Sequence, residues 1–514
     1  MNSKTSVPPR RPVLSLCPGL ELRDWFRVGA GLVDLALDKE RWGLIVENRS
    51  YLDQALNGND QAWYGINTGF GALCNTRIPP QELESLQRNL VLSHACGCGP
   101  SADPEIVRLM LGLKVHSLAF GYSGICTETV ESLLDFYNHD LLPVVPTRGS
   151  LGASGDLAPL AHLVLPLLGL GECTHQGQTI SGAEALAILG RKPLILKSKE
   201  GLALLNGTQY MLATGIAAYR RARSARLWAD RCAALSSEVY LASQQPLDPL
   251  FQQVRPHAGA VQTSQNLLEL MQGSALALLP RPSVQDPYAF RCIPQVHGTS
   301  AEVIASLGRV LEIEVDSVTD NPLVDHRSGR VLSGGNFHGQ VLSMAMDHAA
   351  LALAEWGSIS ERRTYQLISG TRGLPPFLSR QSGLESGLMI PQYTAAALVS
   401  HNKQLATPCV VDSIPSSNGQ EDHVSMGANA ANRLATMLDN LFQILAVEWL
   451  TANRALSFRQ GEPGLKLRQI LDSYQGIVRI PEGDAYWAPL LSQTKLFMEN
   501  SSGLFGEPEA SMQS

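Results

Sequence analysis

The sequence lacks a long uninterrupted apolar run. Its longest apolar stretches cover residues 157–170 and 341–356; His162 interrupts the first, and Asp347 and Glu355 interrupt the second. A membrane-spanning helix needs roughly 20 consecutive apolar residues. The sequence therefore predicts that no segment spans a membrane.

A run of basic residues and a disulfide framework are also missing. The 40 Lys and Arg residues are dispersed among 47 Asp and Glu residues, for a formal net charge of −7, so no nucleic acid partner is indicated. The first 18 residues have no continuous apolar core of the kind a secretion signal needs, and we expect residues 1–20 to form a flexible tail. The 9 cysteines are odd in number and irregularly spaced, which predicts a cytoplasmic protein.

Strand patterns are few, whereas helical periodicity dominates the second half of the chain. Apolar residues recur every three or four positions over 296–315, 338–368 and 424–456. Helices of this length predict a long bundle. Their wide apolar stripes predict that they pack on several sides, including between subunits.

The first half is more broken, with loops rich in Gly, Pro and Asn between shorter predicted helices over 81–95, 104–119 and 126–137. A small hairpin element is predicted from Thr179–Ile180 and Pro193–Ile195. The sequence thus predicts a mainly α protein, with a loop-rich catalytic domain over 21–225 and a long-helix bundle, ending in a C-terminal helical segment, over 226–514.

The most informative segment is 148–162, a loop rich in small residues that enters a helix near Asp156. The amide nitrogen of Gly155 could attack the carbonyl carbon of Ala153, because glycine has no Cβ to obstruct that approach. Loss of two waters, one from the Ser154 hydroxyl, would leave a five-membered ring with an exocyclic methylidene. Such a ring is an electrophile that no unmodified side chain supplies. The alternative is an ordinary loop before a helix.

Two further segments carry groups suited to proton transfer. Tyr64 opens a Gly-rich loop and could act as a base if a nearby positive charge lowers its pKa; the alternative is a surface turn with a packing aromatic. Glu421 precedes the last long helix. It either caps that helix or serves as a buried acid–base group.

Other polar clusters are open to two interpretations each. Residues 94–98 contain one His and two Cys, which indicates either an incomplete metal site or a helix-terminal His94 facing a pocket. Residues 285–291 combine an amide, a phenol and a guanidinium, and Arg291 could clamp a carboxylate or form a structural ion pair. Asn206 and the stretch 334–338 each place an Asn beside a Gly. Either could be a plain turn or a part of a site.

Taken together, these segments resemble the aromatic amino acid ammonia-lyases that carry a methylideneimidazolone (MIO) group, the family of histidase and phenylalanine and tyrosine lyases. The shared motifs run from about Tyr64 to Arg459: Tyr-Gly-Ile-Asn-Thr-Gly-Phe-Gly, Gly-Ala-Ser-Gly-Asp, Leu-Asn-Gly-Thr-Gln, Asp-Pro-Tyr…Arg, Asp-Asn-Pro, Gly-Gly-Asn-Phe-His and Glu-Asp-His-Val-Ser-Met. The resemblance implies a mainly helical homotetramer whose active sites are each lined by more than one subunit.

The resemblance also implies a prosthetic group and a set of site residues. The group is 4-methylideneimidazol-5-one, formed from residues 153–155, with no metal and no soluble cofactor. The implied catalytic residues are Tyr64, Ala153, Ser154, Gly155, Tyr288, Arg291 and Glu421. The implied substrate-binding residues are His94, Asn206, Gln285, Arg291, Phe337 and Glu421. Tyr64 would take the β-proton of the substrate, and Arg291 would hold its carboxylate.

Within this family the chain is most similar to histidases. Ser93-His94 stands where phenylalanine and tyrosine lyases commonly show Phe-Leu or His-Leu. Glu421 stands where those enzymes usually show Asn. A carboxylate and an imidazole suit a polar ring better than a phenyl ring. His401 departs from the Glu typical of histidases. The resemblance thus implies conversion of L-histidine to trans-urocanate. The alternatives are a tyrosine or phenylalanine lyase, an MIO aminomutase, and a helical assembly protein without catalytic activity.

Overall fold

The computed structural model describes residues 11–58, 61–281 and 283–501, and these are mainly α-helical, as predicted. The first ten residues of the predicted tail lie outside this part of the chain. The described residues form eighteen α-helices: α1 Leu22–Gly29, α2 Lys39–Gly58, α3 Leu83–His94, α4 Pro104–Leu118, α5 Thr127–Asn138, α6 Leu157–Val164, α7 Gly182–Ile188, α8 Glu200–Leu205, α9 Gln209–Tyr240, α10 Pro249–Val254, α11 Ala258–Leu270, α12 Tyr288–Arg291, α13 Ile293–Val315, α14 Gln340–Ile368, α15 Met389–Leu405, α16 Gly427–Leu456, α17 Leu465–Gln475 and α18 Trp487–Asn500.

In this part of the chain, nine short strands form four small sheets. They are β1 Val13–Ser15, β2 Asp34–Ala36, β3 Cys98–Ser101, β4 Leu142–Pro143, β5 Pro146–Arg148, β6 Glu172–His175, β7 Gln178–Ser181, β8 Leu323–Asp325 and β9 Arg330–Leu332. The pair β1–β2 is parallel, and the pairs β3–β5, β4–β6, β6–β7 and β8–β9 are antiparallel. Strand β1 lies inside the stretch predicted as a flexible tail, so residues 13–15 differ from that expectation.

The hairpin prediction was half wrong. Thr179 and Ile180 lie in β7, but their partner is β6, joined through a two-residue turn at Gln176 and Gly177. Both turn residues have positive φ, 50° and 78°, as a tight hairpin requires. Residues 193–195 form no strand; the N–H of Leu194 donates instead to the Leu167 carbonyl, at 2.8 Å.

The three long helices predicted from periodicity are confirmed as α13, α14 and α16, each within three residues of the predicted N-terminal bound. The shorter predictions correspond to α3, α4 and α5. The longest helix, α9, was not predicted. Its residues 211–219 are buried without interruption, so no polar face reveals a helical period.

The chain divides into two compact units, each made of three segments. Of the described residues, the first unit contains 11–217, 308–346 and 408–432, and the second contains 218–307, 347–407 and 433–501. Four of the boundaries fall inside α9, α13, α14 and α16. This grouping is interleaved along the sequence, whereas the predicted domains are two continuous stretches.

The core of the first unit is built around α4. Every residue from Leu109 to Leu118 is buried, and a helix that is apolar on all sides must be covered on all sides. Helices α1, α5 and α6 pack against it. Three polar residues share this burial: Lys114, Ser117, and His116, whose Nε2 lies 2.8 Å from Asp316 Oδ1.

The second unit has an aromatic core. The ring of Trp228 lies 5.2 Å from that of Trp449 and 5.6 Å from that of Phe497, both edge to face. Such pairs add about 0.5–1.5 kcal/mol beyond the burial of their area. A buried ion pair joins Arg363 Nε to Glu448 Oε1 at 2.6 Å, and both side chains are fully buried.

No helix in the described residues is long and apolar enough to cross a bilayer. The nine cysteines all lie in the described part of the chain, and all are free thiols.

Candidate active site

The loop from Gly149 to Asp156 enters α6 with an unusual backbone. Ser154 has φ of 52° and Gly155 has φ of 82°. Positive φ is uncommon for a residue with a side chain, and holding one there costs of order 1–3 kcal/mol. The surrounding structure must therefore hold Ser154 in this conformation.

Gly155 lies directly against Gly207. The Asp156 N–H donates to the Gly207 carbonyl at 2.8 Å, and the Gly207 N–H donates to the Ser154 carbonyl at 3.3 Å. A Cβ on Gly155 would clash with the Gly207 carbonyl oxygen and lie 3.1 Å from the Phe337 carbonyl oxygen. Only glycine is accommodated at this position, which leaves its nitrogen open to close backbone approach. The structure thus explains why position 155, the site of the proposed cyclisation, is a glycine.

Asp156 supplies a buried carboxyl group next to this tripeptide. Its Oδ2 accepts a hydrogen bond from the Met211 N–H at 2.9 Å. Its Oδ1 has no partner in the described part of the chain. Burial raises the pKa of Asp156 to about 7. A group with this pKa can accept or release a proton near neutral pH.

Asn206, at the end of α8, is held in one orientation. Its Nδ2 donates to the Asn321 carbonyl at 2.6 Å and to Asp320 Oδ1 at 3.1 Å. Both partners can only accept, so the amide oxygen must point away from them. That oxygen is buried and has no partner among the described residues. An unpaired buried acceptor costs about 1–3 kcal/mol, so it is suited to accept a hydrogen bond from a bound ligand.

Two buried lysines support Asn206. Lys199 Nζ forms a 2.6 Å ion pair with Asp320, and Lys114 Nζ donates to the Asn206 carbonyl at 2.6 Å. Burial lowers the pKa of Lys114 to about 7. Neither lysine was identified from the sequence. The available signal was a lysine at the centre of the apolar run 109–118, since unpaired lysines are almost never fully buried.

Tyr64 is partly buried, and its hydroxyl accepts a hydrogen bond from the Gly71 N–H at 3.1 Å. Burial raises the pKa of Tyr64, the Gly71 hydrogen bond lowers it, and the charge of Glu421 raises it further. No cationic group is among these causes. The positive charge that was the condition for Tyr64 to act as a base is not found among the described residues around it, where the charged neighbour is a carboxylate.

Glu421 lies in the loop before α16, not in the helix itself, which begins six residues later. The cap interpretation was therefore wrong. Glu421 Oε2 accepts a hydrogen bond from the Ser416 hydroxyl at 2.8 Å. A Cβ built on Gly71 would lie 3.9 Å from Glu421 Oε1, and the Gly71 N–H contacts the Tyr64 hydroxyl, so the two sequence-predicted groups flank the same residue.

The segment 416–426 joins the Tyr64 loop to the Ser154 loop. The Ala72 N–H donates to Ser417 Oγ at 3.0 Å, and the Met426 N–H donates to the Leu151 carbonyl at 3.0 Å. The first unit therefore brings together five segments that are distant in sequence. They carry Tyr64, Ala153–Gly155, Asn206, Phe337 and Glu421.

His94 ends α3, as predicted. Its Nδ1 lies 2.8 Å from the Leu90 carbonyl oxygen, which can only accept. A neutral His94 therefore carries its proton on Nδ1 and offers Nε2 as an acceptor. Gly97, three residues on, lies against Gly149 at the start of the Ser154 loop. In the described residues, no group of three or more His, Cys, Asp or Glu side chains has a metal-binding arrangement.

Gln285, Tyr288 and Arg291 belong to the second unit. Gln285 is exposed, and the Tyr288 side chain is 70% exposed. The Arg291 guanidinium lies 4.6 Å from the centre of the Tyr288 ring, and its Nε donates to the Asp286 carbonyl at 2.8 Å. No carboxylate in the described residues forms an ion pair with Arg291, so its charge is available to a ligand.

Comparison with known proteins identifies relatives of the whole chain. A family model described as aromatic amino acid lyase matches residues 20–475. The histidine ammonia-lyase of Vibrio cholerae is 45% identical over 497 residues, which cover 95% of this chain and 96% of that protein. The histidine ammonia-lyase of Gloeobacter violaceus is 47% identical over 451 residues, 87% of each chain.

Two solved structures have closely similar folds. Histidine ammonia-lyase from Trypanosoma cruzi superposes with a TM-score of 0.87 at 37% identity, covering 96% of this chain and 94% of that one. Phenylalanine aminomutase from Pantoea agglomerans superposes with a TM-score of 0.90 at 29% identity, covering 96% of this chain and 100% of that one.

Proposed function

We propose, because the chain belongs to the aromatic amino acid lyase family, that it eliminates ammonia from L-histidine to give trans-urocanate. The relatives named histidine ammonia-lyase support this substrate, since they are 45% and 47% identical over most of the chain. Elimination of ammonia from an α-amino acid must overcome a poor leaving group and a weakly acidic β-hydrogen. The site offers groups for both problems.

The observation that carries the proposal is that the Glu421 carboxylate and the Tyr64 hydroxyl lie on either side of Gly71. An imidazole ring has an N–H that a carboxylate oxygen can accept, whereas a phenyl ring would leave the carboxylate without a partner. His94, whose Nδ1 is held by the Leu90 carbonyl, would add a second polar group. Together these residues favour a polar ring over an apolar one.

The electrophile would be the MIO group formed from Ala153, Ser154 and Gly155. Two features support its formation: the positive φ of Ser154, at 52°, and the exclusion of any Cβ at position 155. Asn206 and Phe337 border this tripeptide. When formed, the group supplies an electrophilic carbon that makes the substrate amine a better leaving group.

The remaining roles belong to side chains of the chain itself. Tyr64 would take the β-proton, and the Gly71 N–H would stabilise the phenolate by donating to its oxygen. The Asn206 carboxamide oxygen would accept a hydrogen bond from the substrate. Arg291 would hold the substrate carboxylate with two parallel hydrogen bonds, and Gln285 and Tyr288 would line the same end of the pocket.

We propose a cytoplasmic homotetramer in which each active site is shared between subunits. Large apolar side chains on α14 and α15 support this assembly, because they are exposed in the single chain: Leu351 at 48%, Ile390 at 56% and Tyr393 at 56%. An apolar patch that these side chains form would be buried between subunits. Sharing would also give the exposed Tyr288 and the unpaired Arg291 a function.

Two related activities use the same machinery. A tyrosine or phenylalanine lyase would differ only in the pocket for the side chain. An aminomutase would return ammonia to the β-carbon, and the similarity to the Pantoea agglomerans enzyme keeps this second candidate in view. Only the products separate the three activities.

A substrate panel tests the proposal. Purified protein is incubated with L-histidine, L-tyrosine and L-phenylalanine, and ultraviolet absorbance of the acrylate product is followed on fractions from a sizing column. We expect urocanate from histidine, a preference of ~10⁴-fold over the other two, and activity in the tetramer fraction. Coumarate or cinnamate without urocanate would contradict the substrate, and a β-amino acid product would indicate the aminomutase.

A further inference from the structure

We propose that Ser416 and Ser417 are positioning residues for this reaction. Ser416 would fix the Glu421 carboxylate, and Ser417 would tie the Glu421 loop to the Tyr64 loop. The proposal rests on the function proposed above and adds the residues that place its two key groups. Neither serine belongs to the motifs that identify the family.

Ser416 holds Glu421 through three hydrogen bonds. Its N–H donates to the Glu421 carbonyl at 2.9 Å, and the Glu421 N–H donates back to the Ser416 carbonyl at 3.4 Å. The Ser416 hydroxyl donates to Glu421 Oε2 at 2.8 Å. One carboxylate oxygen is therefore already committed, which fixes the rotation of the whole group.

The second carboxylate oxygen faces the Tyr64 loop. A Cβ built on Gly71 would lie 3.9 Å from Glu421 Oε1. Within the described residues, this oxygen accepts no hydrogen bond. It is therefore the oxygen available to an imidazole N–H, and the Ser416 hydroxyl determines where it points.

Ser417 connects the same loop to Tyr64. Its Oγ accepts a hydrogen bond from the Ala72 N–H at 3.0 Å. The neighbouring Gly71 N–H donates to the Tyr64 hydroxyl at 3.1 Å. A Cβ on Gly71 would clash with Ser417 Oγ, so the two loops are in close contact. The phenol and the carboxylate thus belong to one hydrogen-bonded unit.

The backbone of the serine loop indicates that this contact is held against strain. Ser417 has φ of 50° and Asn418 has φ of 53°, in the left-handed region that favours glycine. Strain of this kind persists where neighbouring contacts over-determine the conformation. The Ala72 and Glu421 hydrogen bonds are such contacts.

Four variants test the proposal with L-histidine as substrate: Ser416→Ala, Ser416→Thr, Ser417→Ala, and the control Ser473→Ala on the exposed face of α17. We expect Ser416→Ala to lower kcat/KM by ~10- to 100-fold, mainly through KM, because a hydrogen bond to a charged group is lost. Ser416→Thr keeps the hydroxyl and should restore activity to within a few fold. Ser417→Ala should act mainly on kcat, by releasing the Tyr64 loop.

Thermal unfolding of all four variants separates positioning from folding. The melting temperatures should match that of the control, and the Ser416→Ala/Ser417→Ala double variant should lose less than the product of the single losses, as coupled residues do. Wild-type kcat/KM in Ser416→Ala, or equal damage in Ser416→Thr, would overturn the proposal. A wild-type protein that deaminates tyrosine and not histidine would instead contradict the proposed substrate.

Discussion

At the scale of single residues, Tyr64 determines how the reaction depends on pH. A tyrosine can take a proton only as the phenolate, and burial raises its pKa above the ordinary value of 10.0. The Gly71 N–H opposes this shift, because it donates to the hydroxyl oxygen that bears the charge. The phenolate is thus a minor form at neutral pH, and a strong base when present.

We expect the turnover of the wild-type protein to rise with pH between neutral and mildly alkaline conditions. The phenolate fraction increases about tenfold per pH unit below the pKa. Tyr64→Phe should lower kcat by ~10²–10⁴-fold with little change in substrate binding, and should remove this rise. Steady-state kinetics at several pH values measure both effects. Near-normal turnover in the Phe variant would place the base elsewhere.

Sequence patterns reached some of the site residues and not others. Gly155 could be predicted because the cyclisation needs a residue without a Cβ at that position. In the structure, a Cβ there would also clash with Gly207. The protonation state of Tyr64 could not be predicted, since it depends on a carboxylate 357 positions away in the sequence. Lys199 and Asp320 were equally hidden, because their pairing exists only in the folded chain.

At the scale of helices, α9 carries a buried acid that the reaction does not use. Glu238 Oε2 accepts a hydrogen bond from the Gly464 N–H, just before α17, at 3.1 Å. Its Oε1 is buried without a partner in the described residues. Burial raises the pKa of Glu238 to about 7.

This shift predicts a stability that falls as the pH rises. In the unfolded chain Glu238 ionises near 4.5, the ordinary pKa of a glutamate, whereas the folded chain keeps it protonated up to about pH 7. The stabilising contribution is therefore complete below 4.5 and is lost as the pH rises through 7. We expect Glu238→Gln to remove this pH dependence. Relative to the wild type, the free energy of unfolding of the variant should increase by up to about 3 kcal/mol between about pH 4 and about pH 8.

Melting temperatures of wild type and variant between about pH 4 and about pH 8 measure the effect. Glu269→Gln is the matched control, because that carboxyl is exposed and paired with Lys466 on the surface. Parallel pH profiles for wild type and Glu238→Gln would show that Glu238 ionises normally in the folded chain.

Periodicity predicted the helices that keep a polar face and missed those that do not. Helix α16 has a clear apolar stripe, and its C-terminal bound was predicted to the residue. Helix α9 is buried around much of its surface, so its period is hidden. The hairpin error has a local cause as well. The turn at Gln176 and Gly177 contains only one glycine, so it is a weaker turn signal in the sequence than the proline at 193.

At the scale of the whole molecule, the candidate site is a product of topology. Five segments of the first unit, spread from Tyr64 to Glu421, lie together through backbone hydrogen bonds and glycine contacts. The order of motifs in the sequence could predict that these segments share a site, but not which atoms touch. Gln285, Tyr288 and Arg291 lie in the second unit, and the part that we propose for them would come from assembly between subunits.

The central claim is that the protein makes its own electrophile from Ala153, Ser154 and Gly155. High-resolution mass measurement of the active protein, and of the peptide that contains these residues, tests it most directly. We expect the mass of the wild type to be lower than that of the unmodified chain by two waters. We expect Ser154→Ala to have the unmodified mass, to be inactive, and to fold as a tetramer. An active wild-type protein whose chain has its full unmodified mass would contradict it.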